Sequence, residues 1–262
     1  MENEKNKSIL SKLFETKNDH RESAIPIDRN EFIKAVESRR SVRKYNDEPV
    51  LEDDMMQCLE LALLAPNSSN LQPWQFYWVR DEKKKELLVD YCLGQPAAAT
   101  AQELVVCVAR HDFWKDNAKR MIELFKEKGD KVPKTAIVYY EKIAPLAYHQ
   151  GPLGIFGLLK RIVVYFRGIS TPTPREPGSY GDMKIWAHKS TALACENLML
   201  SLRAFGYDSC PMEGMDSKRI KKMLGLPRKA QISMVISAGK RAENGVYGER
   251  VRFNRDHFIK IV

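Results

Sequence analysis

The sequence predicts an α+β fold, in which helices and strands are interspersed in one domain. Three observations lead there. ELVVCVAR, residues 103–110, is a nearly continuous β-branched run, which suits a strand buried on both faces. WQFYWVR (74–80) and QISMVISAG (231–239) also read as strands. The long stretches between them carry apolar residues at helical spacing.

The elements follow in order. Residues 1–27 read as a polar extension, with a short amphipathic piece at Ile9, Leu10, Leu13 and Phe14. Asp28 starts a helix: Asp28 and Glu31 have capping-box spacing, and Phe32, Ala35 and Val36 share a face. The helix runs into RRSVRKY. A second helix spans about 52–65, with Met55, Leu59 and Ala62 on one side, and Pro66 stops it. The loop Asn67 to Pro73 leads into the first strand. Helices are expected at 81–91, 112–128 and 135–149. Residues 150–181 are the least regular stretch, with glycines and prolines on both sides of LLKRIVVYF. A long helix is expected from Ile185 to Phe205, where Trp186, Ser190, Leu193, Asn197 and Leu198 recur at helical spacing and Gly206 can cap the end. A turn and PMEG come next. Ser217 is the expected cap of a short helix ending at Gly225. The tail VRFNRDHFIKIV is basic and partly extended.

Composition narrows the function. The chain has 262 residues, 44% hydrophobic and 29% charged, enough for a packed core in a soluble protein. A net charge of +9 favours anionic partners: phosphorylated cofactors, acidic membranes or nucleic acid. The five cysteines are odd in number with no CxxC pair, which reads as reduced thiols in a cytoplasmic protein. The N-terminus has no apolar signal core, and no apolar run approaches the roughly 18 residues of a membrane span. The histidines lack metal-ligand spacing, so no metal site is expected. No GxSxG occurs and no GxGxxG follows a strand, which argues against a serine hydrolase and a Rossmann fold.

Four segments carry chemistry. RRSVRKY holds four cations in seven residues. Arginine forks match phosphate oxygens and Ser41 adds a hydroxyl, although a solvated basic turn has the same composition. NSSNLQPWQF offers Asn70 and Gln72, which both donate and accept, as the edge of a planar ring requires; a turn bonded to itself is the plainer reading. In PMEG, Pro211 and Gly214 bracket Met212 and Glu213, so the amides between can be held against a ligand face. Arg250 and Arg252 flank Val251 and share one face if extended.

Together these residues resemble the nitroreductase family of FMN-dependent oxidoreductases. FIKAVESRRSVRKYNDEPV resembles its first helix and phosphate-binding turn. LLAPNSSNLQPWQFYWV resembles its second flavin segment, and ALACENLMLSLRAFGYDSCPMEGMD its central helix, glycine turn and P-x-E-G. The resemblance covers roughly residues 30–110 and 183–258. It implies a mostly antiparallel sheet surrounded by helices, in an intertwined homodimer whose FMN sites lie across the interface. It implies that Arg39, Arg40, Ser41 and Arg43 bind the FMN phosphate and the pyrimidine side of the ring. Asn70 would bind the ring edge with Gln72 adjacent, on a loop from the partner chain. Pro211, Met212, Glu213 and Gly214 would cover the ring face opposite the substrate, with the Glu213 amide near the reactive nitrogen. Arg250 and Arg252 would return to the phosphate. NADH or NADPH would reduce the flavin, and an electron-poor small molecule of nitroaromatic or quinone type would then be reduced in the same slot.

Two departures stand out. Residues 111–182 do not follow better-known members closely, and Lys240 and Arg241 stand where many relatives have an aromatic residue or proline. Three other readings compete: a basic protein binding nucleic acid or an anionic surface, a flavoprotein with a different electron donor, and a peripheral membrane flavoprotein using residues 153–168. No nucleic-acid motif is present, and residues 153–168 are expected to pack over the site or on a dimer partner rather than on a membrane.

Overall fold

The computed structural model describes residues 22–129 and 132–262; the amphipathic piece at Ile9, Leu10, Leu13 and Phe14 lies outside them. Its centre is a four-stranded antiparallel sheet, order β1-β2-β4-β3, built from β1 (Trp74–Trp78), β2 (Glu103–Ala109), β3 (Asp208–Met212) and β4 (Gln231–Gly239). β2 is buried from Leu104 through Ala109, as its β-branched run predicts for a central strand covered on both faces.

Alternation along the strands splits the core in two. Val105, Cys107, Ile236 and Ala238 face α2 (Glu52–Leu63) and the long α9 (Tyr180–Ala204), packing on Met55, Cys58, Ala62, Cys195 and Leu198. Leu104, Val106, Val108 and Val235 face the opposite way, onto Leu88 of α3 (Glu82–Tyr91), Ala97 and Ala98 of α4 (Pro96–Ala99) and Ile220 of α10 (Ser217–Met223). The remaining helices are α1 (Arg29–Ser38), α5 (Trp114–Glu127), α6 (Lys134–Val138), α7 (Ala144–Tyr148) and α8 (Ile155–Ser170). A π turn, Tyr139–Ile143, joins α6 to α7.

Local chemistry explains the ends. Asp28 caps α1, its carboxylate accepting from the Asn30 and Glu31 amides at 2.7 and 3.2 Å. No residue of α1 is buried, and Phe32 and Val36 on its apolar face are exposed. Gly206, at φ 84°, takes the left-handed position after α9, where a side chain would strain the backbone.

Four expectations need correcting. The cap of α10 is Asp216, whose carboxylate accepts from the Lys218 and Arg219 amides; it is one residue earlier than Ser217 and is the stronger acceptor. α9 begins at Tyr180 rather than near Ile185, because Ser179 accepts from the Asp182 amide and starts it earlier. Pro211 and Met212 belong to strand β3, tolerated there because β3 is an edge and a proline needs no ladder donor on that side. The stretch 150–181 contains a 16-residue helix, α8, since its glycines fall on the packed side and outside the ends.

Candidate functional site

RRSVRKY leaves α1 and runs along the free edge of β3. Ser41 bridges Ser209 in parallel, and the Val42 amide donates to the Ser209 carbonyl at 3.1 Å. The Arg43 amide donates to Gly245 O at 2.7 Å, and Tyr45 bridges Arg241 at the end of β4. This stitching gathers guanidiniums on one edge. Arg40 Nη2 donates to Gly248 O at 2.6 Å, Arg43 Nη1 to Ser41 O at 3.3 Å, and Arg250 to the Arg39 carbonyl. Arg39 has a carboxylate, Glu196, only at 3.9 Å. The cluster is therefore held mostly by neutral carbonyls, and its positive charge is left for an anion.

Cys210 lies beside Arg43, Arg39 and Ser41. Burial pushes its thiol above the ordinary range, while Arg43, Arg39 and a hydrogen bond to Ser41 pull it back. Arg252 Nη1 donates to its own neighbour's carbonyl, Val251 O, at 2.8 Å.

PMEG lies further along the same edge strand. β3 ends at Met212, about 10 Å beyond Ser209 at ~3.3 Å per residue, and Glu213 and Gly214 follow it. Gln95 Nε2 donates to Gly214 O at 2.7 Å and fixes the turn. An elongated ligand with an anionic end and a flat end would fit along β3. Beside Glu213 opens a cavity of about 540 Å³ lined by His188, Lys189, Met215, Ser233 and Met234 among others. His188 Nδ1 lies 3.2 Å from Ser233 Oγ. Burial lowers the His188 pKa, Glu213 opposes this and Lys184 reinforces it.

The loop carrying Asn70 and Gln72 is elsewhere. It enters β1, the opposite edge of the sheet, three strand spacings or about 14 Å from β3. Ser69, Asn70 and Gln72 all have left-handed backbones, φ 59°, 46° and 44°. Side chains hold this shape. Ser69 Oγ meets Tyr139 Oη at 2.6 Å and Tyr148 Oη at 2.9 Å, Ser68 Oγ meets Tyr148 Oη at 3.1 Å, and Tyr140 Oη donates to Ser69 O at 2.8 Å. Asn117 Nδ2 donates to Leu71 O at 2.8 Å. Leu71 is buried as the loop's anchor, while Asn70 and Gln72 on either side are exposed, with Gln72 Nε2 bonded to Asn70 Oδ1 at 3.4 Å.

Sequence reading missed Gln95, the three tyrosines and the His188–Ser233 pair. Each acts through a partner distant in sequence, so no local motif marks it. The basic pair after β4 has a structural use. Arg241 grips buried Asp208 through Nε at 2.7 Å and Nη2 at 2.5 Å, with Arg203 Nη1 at 2.9 Å, and Lys240 lies over the Tyr207 ring.

An α+β sheet with a cationic edge, a P-x-E-G turn on the same strand and a polar left-handed loop at the other edge defines the class, and the chain belongs to the nitroreductase family, whose profile matches residues 36–240. Among its relatives, an NADH dehydrogenase of Thermus thermophilus is 29% identical over 83% of this chain and 90% of that one. YdgI of Bacillus subtilis, described as a candidate NAD(P)H nitroreductase, is 26% identical over 85% of this chain and 94% of that one. In structure, a candidate nitroreductase of Exiguobacterium sibiricum in complex with FMN superposes with a TM-score of 0.67 at 22% identity, covering 92% of this chain and all of that one.

Proposed function

We propose that the protein is an FMN-dependent oxidoreductase that takes electrons from NADH or NADPH and passes them, by alternate binding in one slot, to an electron-poor acceptor of nitroaromatic or quinone type. The observation that carries this reading is the cluster of guanidiniums held by carbonyls on the β3 edge, on the same strand as P-M-E-G. The relatives' names support the donor and the cofactor.

The residues present fit the group. Arg39, Arg40, Ser41, Arg43, Arg250 and Arg252 would hold its phosphate. Pro211, Met212, Glu213 and Gly214 would lie against one face of the ring. When bound, FMN supplies the two-electron hydride chemistry, and no protein nucleophile is needed. A fixed cation such as Arg43 would favour negative charge on the bound group. The Gln95 bond to Gly214 O holds the turn still, so its amides are pre-aimed.

We further propose a homodimer in which Asn70 and Gln72 reach the ring edge of the partner's site. Within one chain the loop and the cationic edge lie on opposite edges of the sheet, so a second copy is the direct way to join them. The five free, buried cysteines support a reducing compartment such as the cytoplasm.

The test is the visible spectrum of the purified protein with FMN, before and after anaerobic NADH or NADPH, with the mass in solution measured alongside. A flavin band at one per chain that bleaches on a dimer supports the reading. Protein that stays colourless in excess FMN refutes it, and a bound flavin that neither nucleotide bleaches would assign another electron donor.

A further inference from the structure

The cavity beside Glu213 lies between groups of opposite charge. Its walls include His188 and Lys189 of α9, Ser233 and Met234 of β4, and Glu213 and Ser217 after β3. Glu213 is the one carboxylate among them. It continues β3 on one side of β4, while His111 follows β2 on the other side, two strand spacings or about 10 Å away. Cations gather on the His111 side. Lys184 stands one helical turn, ~6 Å, before His188 on α9. Lys229 stands four residues before Ser233, no more than about 14 Å from it along the chain. Burial lowers the His111 pKa; Asp112 opposes this, and Lys184 and Lys229 reinforce it, so both lysines stand close to His111. Lys184 acts on His188 in the same direction.

The charge of these lysines is not compensated. Arg110 holds both oxygens of Asp112, Nε to Oδ1 at 3.0 Å and Nη2 to Oδ2 at 2.9 Å. Lys184, Lys189 and Lys229 have no ion pair among the described residues. The proposed homodimer does not supply one where it enters this site, because the loop 67–73 that a second copy would bring contains no Asp or Glu. A cavity of about 540 Å³ that is acidic on one side and basic on the other suits an elongated ligand whose far end is an anion.

We propose that this cavity seats the electron donor and selects NADPH over NADH, with Lys184, Lys189 and Lys229 taking the 2′-phosphate that NADPH alone carries and Glu213 at the nicotinamide end. The inference rests on the flavin reading, in which the Glu213 amide lies near the reactive nitrogen and the nicotinamide belongs beside it. In giving the flavin a hydride, one proton with two electrons, the donor is oxidised and its nicotinamide ring becomes cationic. The Glu213 carboxylate favours that change. At the adenosine end the lysines act on the phosphate as point charges, where NADH offers only a hydroxyl. A second copy that laid a carboxylate on the lysines is the competing arrangement, and it makes the dimer depend on them.

The test is calorimetric titration of the purified full chain, supplied with FMN, with NADP+ and NAD+, the oxidised forms that bind without reacting, and with 2′,5′-ADP and 5′-AMP. NADP+ should bind about 10- to 100-fold more tightly than NAD+, the range of one charge-assisted contact, and 2′,5′-ADP should exceed 5′-AMP by a similar factor. Added salt should weaken NADP+ more than NAD+. Lys184→Gln with Lys229→Gln should erase the preference, and Lys184→Arg with Lys229→Arg should keep it, with circular dichroism and the mass in solution those of the parent. Should the glutamine pair unfold the chain, the parent's choice between 2′,5′-ADP and 5′-AMP decides. Equal affinity of the parent for NADP+ and NAD+, equal binding of 2′,5′-ADP and 5′-AMP, or a preference that survives in the folded glutamine pair overturns the proposal. So does a dimer that the glutamine pair dissociates, which would give the lysines to a second copy. The flavin reading fails separately: a colourless chain that still prefers NADP+ refutes the flavin and not the pocket, while a yellow chain without the preference refutes the pocket and not the flavin.

Discussion

Tyr148→Phe isolates the device that holds the ring-edge loop. The Tyr148 ring is buried and packs on Trp186 with centroids 4.7 Å apart, contacts that phenylalanine keeps. The substitution removes one hydroxyl, which meets Ser69 Oγ at 2.9 Å and Ser68 Oγ at 3.1 Å. Ser69 retains Tyr139 at 2.6 Å, so Ser68 is the group left poorly satisfied. Two net hydrogen bonds at ~1 kcal/mol each give a loss of about 2 kcal/mol. For a chain of this length that lowers Tm by about 4–8 °C. The loop should loosen as well, since left-handed Ser69 and Asn70 each store about 1–3 kcal/mol of strain that the tyrosines oppose. FMN affinity should then fall about tenfold, roughly 1.4 kcal/mol. Urea or thermal melts measure the first effect and fluorescence titration with FMN the second. Tyr165→Phe, on the exposed face of α8, serves as the control with neither effect expected. A Tyr148→Phe protein matching the parent in both assays would show that the hydroxyls do not hold the loop.

Other substitutions address the remaining parts. Arg43→Gln should weaken FMN binding about 10- to 100-fold, the worth of one charge-assisted contact, and leave riboflavin binding unchanged; equal losses for both ligands would place Arg43 away from the phosphate. Asp208→Asn removes the acceptor that Arg241 and Arg203 share, and should cost about 3 kcal/mol in urea unfolding, less than a fully buried pair because the arginines can rehydrate. A cost near zero would mean that β3 and the end of β4 are held by their backbone ladder alone. Burial lowers the pKa of both His111 and His188, so the unfolded chain takes up protons at higher pH than the folded one. Stability from these two should be intact above about pH 6.5 and fall as pH drops below it. Urea midpoints compared across that range should show a shallower slope in His188→Gln, and an unchanged slope would remove His188 from the account.

How much could be read in advance differs between fold and site. β2 was legible because ELVVCVAR is a composition that only a strand covered on both sides satisfies. α1 was legible from Asp28, and the end of α9 from Gly206, because caps are local chemistry. β3 was hidden by Pro211, which argues against a strand until the neighbouring edge is known to be free. The α10 cap was placed one residue late because Asp216 and Ser217 are both good caps and only geometry chooses. Of the candidate site, Arg39, Arg40, Ser41, Arg43 and Arg250 lie along one edge, while Arg252 bonds the Val251 carbonyl beside it.

The amino-acid sequence by itself determined β1, β2, β4, most of the helices and the identity of the charged and turn-forming residues, because these depend on side-chain size, branching and spacing within a few residues. Tertiary structure alone decided which edge each motif occupies. It set RRSVRKY beside β3, put the Asn70 loop at the far edge of the sheet and tied that loop to tyrosines some seventy residues away. Within one chain it also turned the apolar stripe of α8, from Ile155 through Ile169, outward. Periodicity reveals that a helix has an apolar face, but only the packing of Gly157 against Gly178 decides which way that face points.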